Sequence, residues 1–194
     1  MSRPDTAERP AHAKELTDRL AGRPLVLVGM MGAGKTTVGR RLAAQLGRVF
    51  LDSDEEIEKA AQMTIPEIFE QRGEPEFRAG ETRVIARVLK DKDIVLATGG
   101  GAFVNAETRG LVKAQAVSVW IRADFELLFA RVSRRSNRPL LKTANPRATL
   151  QKLIDERYDI YAEADVTVVS RDVPQDVVAV DLIEAVLAHL RAQG

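Results

Sequence analysis

Lys35 and Thr36 close the segment Gly29-Met30-Met31-Gly32-Ala33-Gly34-Lys35-Thr36, which fits G-x-x-x-x-G-K-[ST]. An ammonium on a flexible stem beside a hydroxyl, behind a run of glycines, is equipment for holding a polyphosphate. The glycines let the backbone turn so that successive N–H groups face phosphate oxygens. Lys35 then reaches the β- and γ-phosphates, and the Thr36 hydroxyl is a ligand for Mg²⁺. Two carboxylates, Asp52 and Asp54, lie two residues apart. On an extended segment that spacing puts both on one side, about 6–7 Å apart. Beside a nucleotide they can divide the work. One helps hold Mg²⁺ near the phosphates, and the other accepts or orients the proton of an acceptor hydroxyl. Asp52, nearer the preceding strand, is the metal-side candidate and Asp54 the substrate-side candidate. Gly99-Gly100-Gly101 removes three side chains in a row, which allows close backbone approach to a ligand and leaves amide N–H groups to donate. Arg78, Arg138 and Arg157, the last just before Tyr158 and Tyr161, carry guanidinium forks that match a carboxylate or phosphate bidentately. Their spacing alone assigns none of them.

These groups need a frame. Leu25 to Val28 is a short apolar run rich in β-branched residues, as in a buried strand. Thr37 to Leu46 follows with Val38, Leu42 and Leu46 at helical spacing. The phosphate loop therefore sits between strand and helix, the context it requires. Further strands are expected at 48–52, 94–97, 117–121 and 166–169. Helices are expected at 54–60 with Ser53 or Asp54 as cap, from Thr64 to near Gly73, and at 76–90, 105–114, 124–133, 146–161 and 174–192. Thr64 with Pro66 and Glu67 reads as a capping box. Residues 134–145, RRSNRPLLKTAN, break the pattern and read as an exposed loop. Strands alternating with helices imply an α/β fold, a five-stranded parallel sheet covered on both faces in a three-layer αβα sandwich. Ligands of such sheets bind beyond the carboxyl ends of the strands. The phosphate loop, Asp52-Ser53-Asp54 and Gly99-Gly100-Gly101 all follow strands, so they are expected to meet in one crevice.

The 194 residues fall within the range of one domain, and 45% hydrophobic residues suffice to fill its core. With 29 basic and 28 acidic residues, the net charge of +1 argues against a general nucleic-acid or membrane-surface binder. There are no cysteines and only two histidines, His12 and His189, so disulfides and thiolate or histidine metal sites are not expected. No stretch approaches the roughly 18–20 apolar residues of a membrane span. Residues 1–22 mix acidic and basic side chains without an apolar segment, unlike a secretory signal or a transit peptide. They are expected to be a polar N-terminal extension with at most a helical turn or two between Ala11 and Leu20, and residues 23–194 a single domain.

Taken together, GMMGAGKTT (29–37), FLDSD (50–54), Phe77-Arg78, LATGGGAF (96–103), RPLL (138–141) and ERYDIYAEAD (156–165) resemble the shikimate kinase family. They run in the family's order and cover nearly everything from residue 24 to the last helix. The resemblance implies a P-loop kinase fold and ATP-dependent phosphorylation of the shikimate 3-hydroxyl on the route to chorismate and aromatic amino acids. It implies Mg²⁺ held by Thr36 and, through water, Asp52, and ATP phosphates on Gly32, Ala33, Gly34, Lys35, Thr36 and Thr37. Asp54, Arg78, Gly100 and Arg157 would bind shikimate, the two arginines at its carboxylate, with Gly99 and Gly101 in the same turn. Arg138 would swing in from a lid at about 133–145 to meet the phosphates, and Arg131 and Arg171 would flank adenine. Lys35, Asp54 and Arg138 form the expected catalytic set. The helices between about 53 and 80 would be the substrate-binding region. A cytoplasmic monomer acting on small molecules, with no nucleic-acid or membrane partner, is expected. The alternative is another small-molecule P-loop kinase, of the gluconate or nucleoside monophosphate type.

Overall fold

The computed structural model describes residues 8–134 and 145–193. Five strands, β1 (Leu25–Val28), β2 (Val49–Asp52), β3 (Ile94–Ala97), β4 (Val117–Arg122) and β5 (Val166–Val169), form one sheet in the order β2-β3-β1-β4-β5. Every pairing is parallel, with Leu25 opposite both Val95 and Val117. Burial follows position in the sheet. The inner strands β1 and β3 are buried at all positions, whereas edge strand β5 alternates buried and exposed. An inner parallel strand has helices over both faces and must be apolar throughout, while an edge strand needs less.

The helices are α1 (Glu8–Leu20), α2 (Lys35–Leu46), α3 (Ser53–Ala61), α4 (Ile65–Val88), α5 (Ala106–Gln115), α6 (Phe125–Ser133), α7 (Pro146–Tyr161) and α8 (Gln175–Gln193). Helices α1, α2 and α8 pack together over the sheet, while α4 rests on α5 and α5 on β4. The capping box of α4 forms as its sequence requires. The Thr64 N–H donates to Glu67 Oε2 at 2.7 Å, and the Glu67 N–H donates to Thr64 Oγ1 at 3.4 Å. That helix breaks at Gly73 (φ 78°, ψ 171°) and resumes over Pro75, so its two halves match the two helices expected there. Sequence reading did not anticipate the short 3-10 turn at Ala102–Val104.

The cap of α3 differs from expectation. Asp52, not Ser53 or Asp54, is the N-cap, with its carboxylate accepting from the Asp54 N–H at 3.1 Å. Ser53 is already helical and uses its hydroxyl elsewhere, accepting from the Gly99 N–H at 2.9 Å. Asp54 therefore lies in the first turn of a helix and not on an extended segment. The two carboxylates are brought together by a strand-to-helix turn and not by strand periodicity.

Residues 8–20 also differ. In place of a turn or two, α1 has 13 residues. Leu16 and Leu20, at i and i+4, are fully buried and belong to the main core. Glu15 accepts from Arg191 Nε of α8 at 3.0 Å. A stripe this narrow is hard to see in a polar sequence, because only the partner helix makes it a buried face. Leu16→Ala is expected to destabilise the protein by about 2–5 kcal/mol. Urea unfolding would show a lower midpoint, with the phosphate loop unaffected.

Candidate active site

The phosphate loop owes its shape to three glycines at positive φ: Gly29 (132°), Gly32 (82°) and Gly34 (102°). At Gly29 a side chain would also strike the Ile121 carbonyl, 2.7 Å from the Cβ position. Lys35 opens α2 and is only 8% exposed. Its Nζ donates to the Gly29 and Met30 carbonyls at 2.7 and 2.9 Å, so the ammonium is held over the loop that precedes it. Gly32, Gly34, Lys35, Thr36 and Thr37 line a cavity of about 460 Å³. Met31, Asp52, Asp54, Thr98, Gly99, Gly100, Arg131, Arg134 and Gln175 complete it. Ala33 is fully buried beneath the loop.

The Thr36 hydroxyl donates to Asp52 Oδ2 at 2.9 Å, and Asp52 Oδ1 takes the Asp54 N–H. Two hard oxygen donors thus meet at the mouth of the phosphate loop. That set fits Mg²⁺, which keeps several waters and asks for one or two protein oxygens beside phosphate. Among the described residues no group of three or more His, Cys, Asp or Glu is placed to hold a metal ion by itself.

The glycine turn after β3 makes room for charged side chains of the protein itself. A Cβ on Gly99 would lie 2.8 Å from Asp54 Oδ1, and one on Gly101 would lie 2.6 Å from Arg78 Nη1. A Cβ on Gly100 would lie 3.7 Å from Arg157 Nη1 and 3.5 Å from the Met31 nitrogen of the phosphate loop. Asp54, Arg78 and Arg157, from three separate helices, therefore converge on one turn that abuts the phosphate loop. The Gly99 N–H is taken by Ser53, which removes it from the amides expected to serve a ligand.

Arg78 Nη1 is held at 2.7 Å by Glu81 Oε2, one helical turn on, and Nη2 at 3.3 Å by Glu74. Glu81 is 1% exposed, and its Oε1 has no partner among the described residues. Burial pushes the Glu81 carboxyl above the usual carboxylate range, against the pull of the Arg78 charge. Sequence reading missed Glu81, although an acid three residues after a candidate arginine on a helix is a pairing signal. Gly101→Ala is expected to displace the Arg78 guanidinium from its ion pairs, because the clashing atoms are the far end of a long side chain and not backbone. The turn itself has a negative φ at Gly101 and would survive. Steady-state kinetics would show about a tenfold rise in KM for the acceptor, the worth of one charge-assisted hydrogen bond, with the urea midpoint unchanged.

Arg131, in the lining of the same cavity, donates from Nη1 to Ser170 Oγ at 2.9 Å and from Nη2 to the Arg171 carbonyl at 3.0 Å. Arg131 thus spans from α6 to the turn after β5, beside Gly32 and Ala33. The Arg171 side chain lies apart from the cavity lining and pairs with Asp181 of α8. Arg134 and Gln175 line the cavity without having been singled out by sequence. Arg138 lies outside the described residues, as does residues 135–144 of the loop read as a lid.

Comparison with known proteins bears on this geometry. A family model described as shikimate kinase matches residues 31–187. A shikimate kinase of Rhodopseudomonas palustris is 53% identical over 186 residues, covering 96% of this chain and 92% of the relative. One from Nitrobacter winogradskyi is 62% identical over 157 residues, covering 81% and 73%. Among solved structures, a shikimate kinase from Acinetobacter baumannii in complex with shikimate superposes with a TM-score of 0.84 at 41% identity, covering 89% of this chain and 97% of that one.

Proposed function

Because this chain belongs to the shikimate kinase family, we propose that the crevice between the phosphate loop and the glycine turn is where it transfers phosphate from ATP to the shikimate 3-hydroxyl. The activity is that of an ATP-dependent kinase with an alcohol acceptor. One observation carries the assignment of the site: an acid and two arginines from three helices gather on a glycine turn that touches the phosphate loop. Shikimate has a carboxylate for the arginines and ring hydroxyls for the acid and a backbone amide.

Phosphoryl transfer asks a protein mainly for positioning and for neutralisation of charge. Gly32 to Thr37 would cradle the β- and γ-phosphates of ATP, with Lys35 moving from its loop carbonyls onto the transferring group. Thr36 and Asp52 would hold Mg²⁺, which when bound neutralises phosphate charge as a Lewis acid. Asp54 would accept a hydrogen bond from the acceptor hydroxyl and turn its lone pair toward phosphorus. Arg78 and Arg157 would grip the carboxylate, fixing the ring so that only one hydroxyl faces the nucleotide. Arg131 would pack against adenine, with Arg171 on its other side once released from Asp181. Arg138, in the lid at about 133–145, would bring a further positive charge to the phosphates and exclude water as a rival acceptor.

No helix among the described residues is long and apolar enough to cross a membrane, and a cytoplasmic location belongs to the same proposal. A coupled ADP-release assay over shikimate, gluconate and nucleoside monophosphates tests the reading. Rapid release with shikimate and background rates with the others are expected; a preference for gluconate or a nucleotide acceptor would overturn it.

A further inference from the structure

The carbonyl of Gly100 receives two donors from α7. One is the Tyr161 hydroxyl, and the other is Arg157 Nη1 at 3.4 Å. The two side chains are four residues apart, so one face of a single helix supplies both. They differ in freedom. Tyr161 is 0% exposed and wedged against Trp120 and Tyr158, with ring centroids 6.1 and 6.4 Å away. Its oxygen also lies 3.8 Å from Met30 Sδ of the phosphate loop. Burial pushes the phenol up to about 12, so it is a neutral donor at any working pH. Arg157 is only half-buried, and its bond to the carbonyl is long.

We infer that Tyr161 is a positioning residue: it keeps the Gly100 carbonyl satisfied so that Arg157 can leave that carbonyl for the carboxylate of the acceptor. A carbonyl with two donors can give one up. A carbonyl served by Arg157 alone would hold it back, because releasing it would strand a partly buried acceptor. With its one proton on the Gly100 carbonyl, the hydroxyl oxygen also lies beside Met30 Sδ, where the glycine turn meets the phosphate loop. The inference rests on the reading that Arg157 binds the shikimate carboxylate.

Tyr161→Phe removes the hydroxyl and keeps the ring and its packing. Calorimetric titration of the full chain is expected to show shikimate binding about five- to tenfold weaker, the worth of one hydrogen bond. KM for ATP and kcat are expected to stay as in the parent, whereas loosened packing would weaken both substrates alike and overturn the proposal. In an Arg157→Ala background, adding Tyr161→Phe is expected to change shikimate affinity no further, and Arg157→Lys provides a second background for the same cycle. Tyr161→Phe that binds shikimate as tightly as the parent, or an equal loss with and without Arg157, would overturn the inference alone. Normal shikimate binding by Arg157→Ala would instead remove the carboxylate reading, and this inference with it.

Discussion

Lys35→Ala is expected to lower kcat by about three orders of magnitude, the scale for removing a positive group from the transferring phosphoryl. Lys35 is the first residue of α2, and its ammonium already sits over the phosphate loop, bonded to the Gly29 and Met30 carbonyls. Phosphates cradled by that loop would offer it stronger, charged acceptors. The transition state concentrates charge on the transferring group, so losing the ammonium should reduce kcat more than it raises KM for ATP. Stability should change little, because α2 retains its apolar face of Val38, Leu42 and Leu46. Stopped-time ADP assays with urea unfolding of the same preparation check both halves. Near-normal kcat would remove Lys35 from the mechanism.

Asp54→Asn is expected to reduce kcat by about 10²–10³-fold, within the range for losing a positioned general base. The substitution keeps the size of the side chain and the backbone N–H bond to Asp52 Oδ1. It removes only the negative charge that lies against Gly99, one turn from the phosphate loop. Shikimate should still bind, because in the proposed site Arg78 and Arg157 would grip its other end. A fall in kcat with a nearly unchanged calorimetric affinity is therefore the expected pattern. A matching collapse of shikimate binding would make Asp54 an anchor and not a base.

Much of this protein could be read without coordinates. The phosphate loop is a local device: its glycines, lysine and threonine are contiguous, and the strand before it and helix after it announce themselves by β-branched run and helical spacing. The capping box at Thr64, the break near Gly73 and the strands at 94–97 and 166–169 are equally local, and each lies where its residues place it. Local rules act over a few residues, so a single chain displays them in full.

Tertiary structure decided the rest. No rule within a few residues could show that Ser53 gives its hydroxyl to Gly99, 46 positions away, and so leaves capping to Asp52. Nor could one show that the three glycines are spaces for Asp54, Arg78 and Arg157 as well as an approach for ligand. Glu81 and Tyr161 became part of the site only when folding buried one beside Arg78 and aimed the other at Gly100. Helix α1 is the same lesson at larger scale, since Leu16 and Leu20 form a buried face only where α1 meets α8 and α2. Residue type by itself determined which chemistry was available. Burial and long-range pairing, which arise when distant segments meet and exclude water, determined which residues could carry it out.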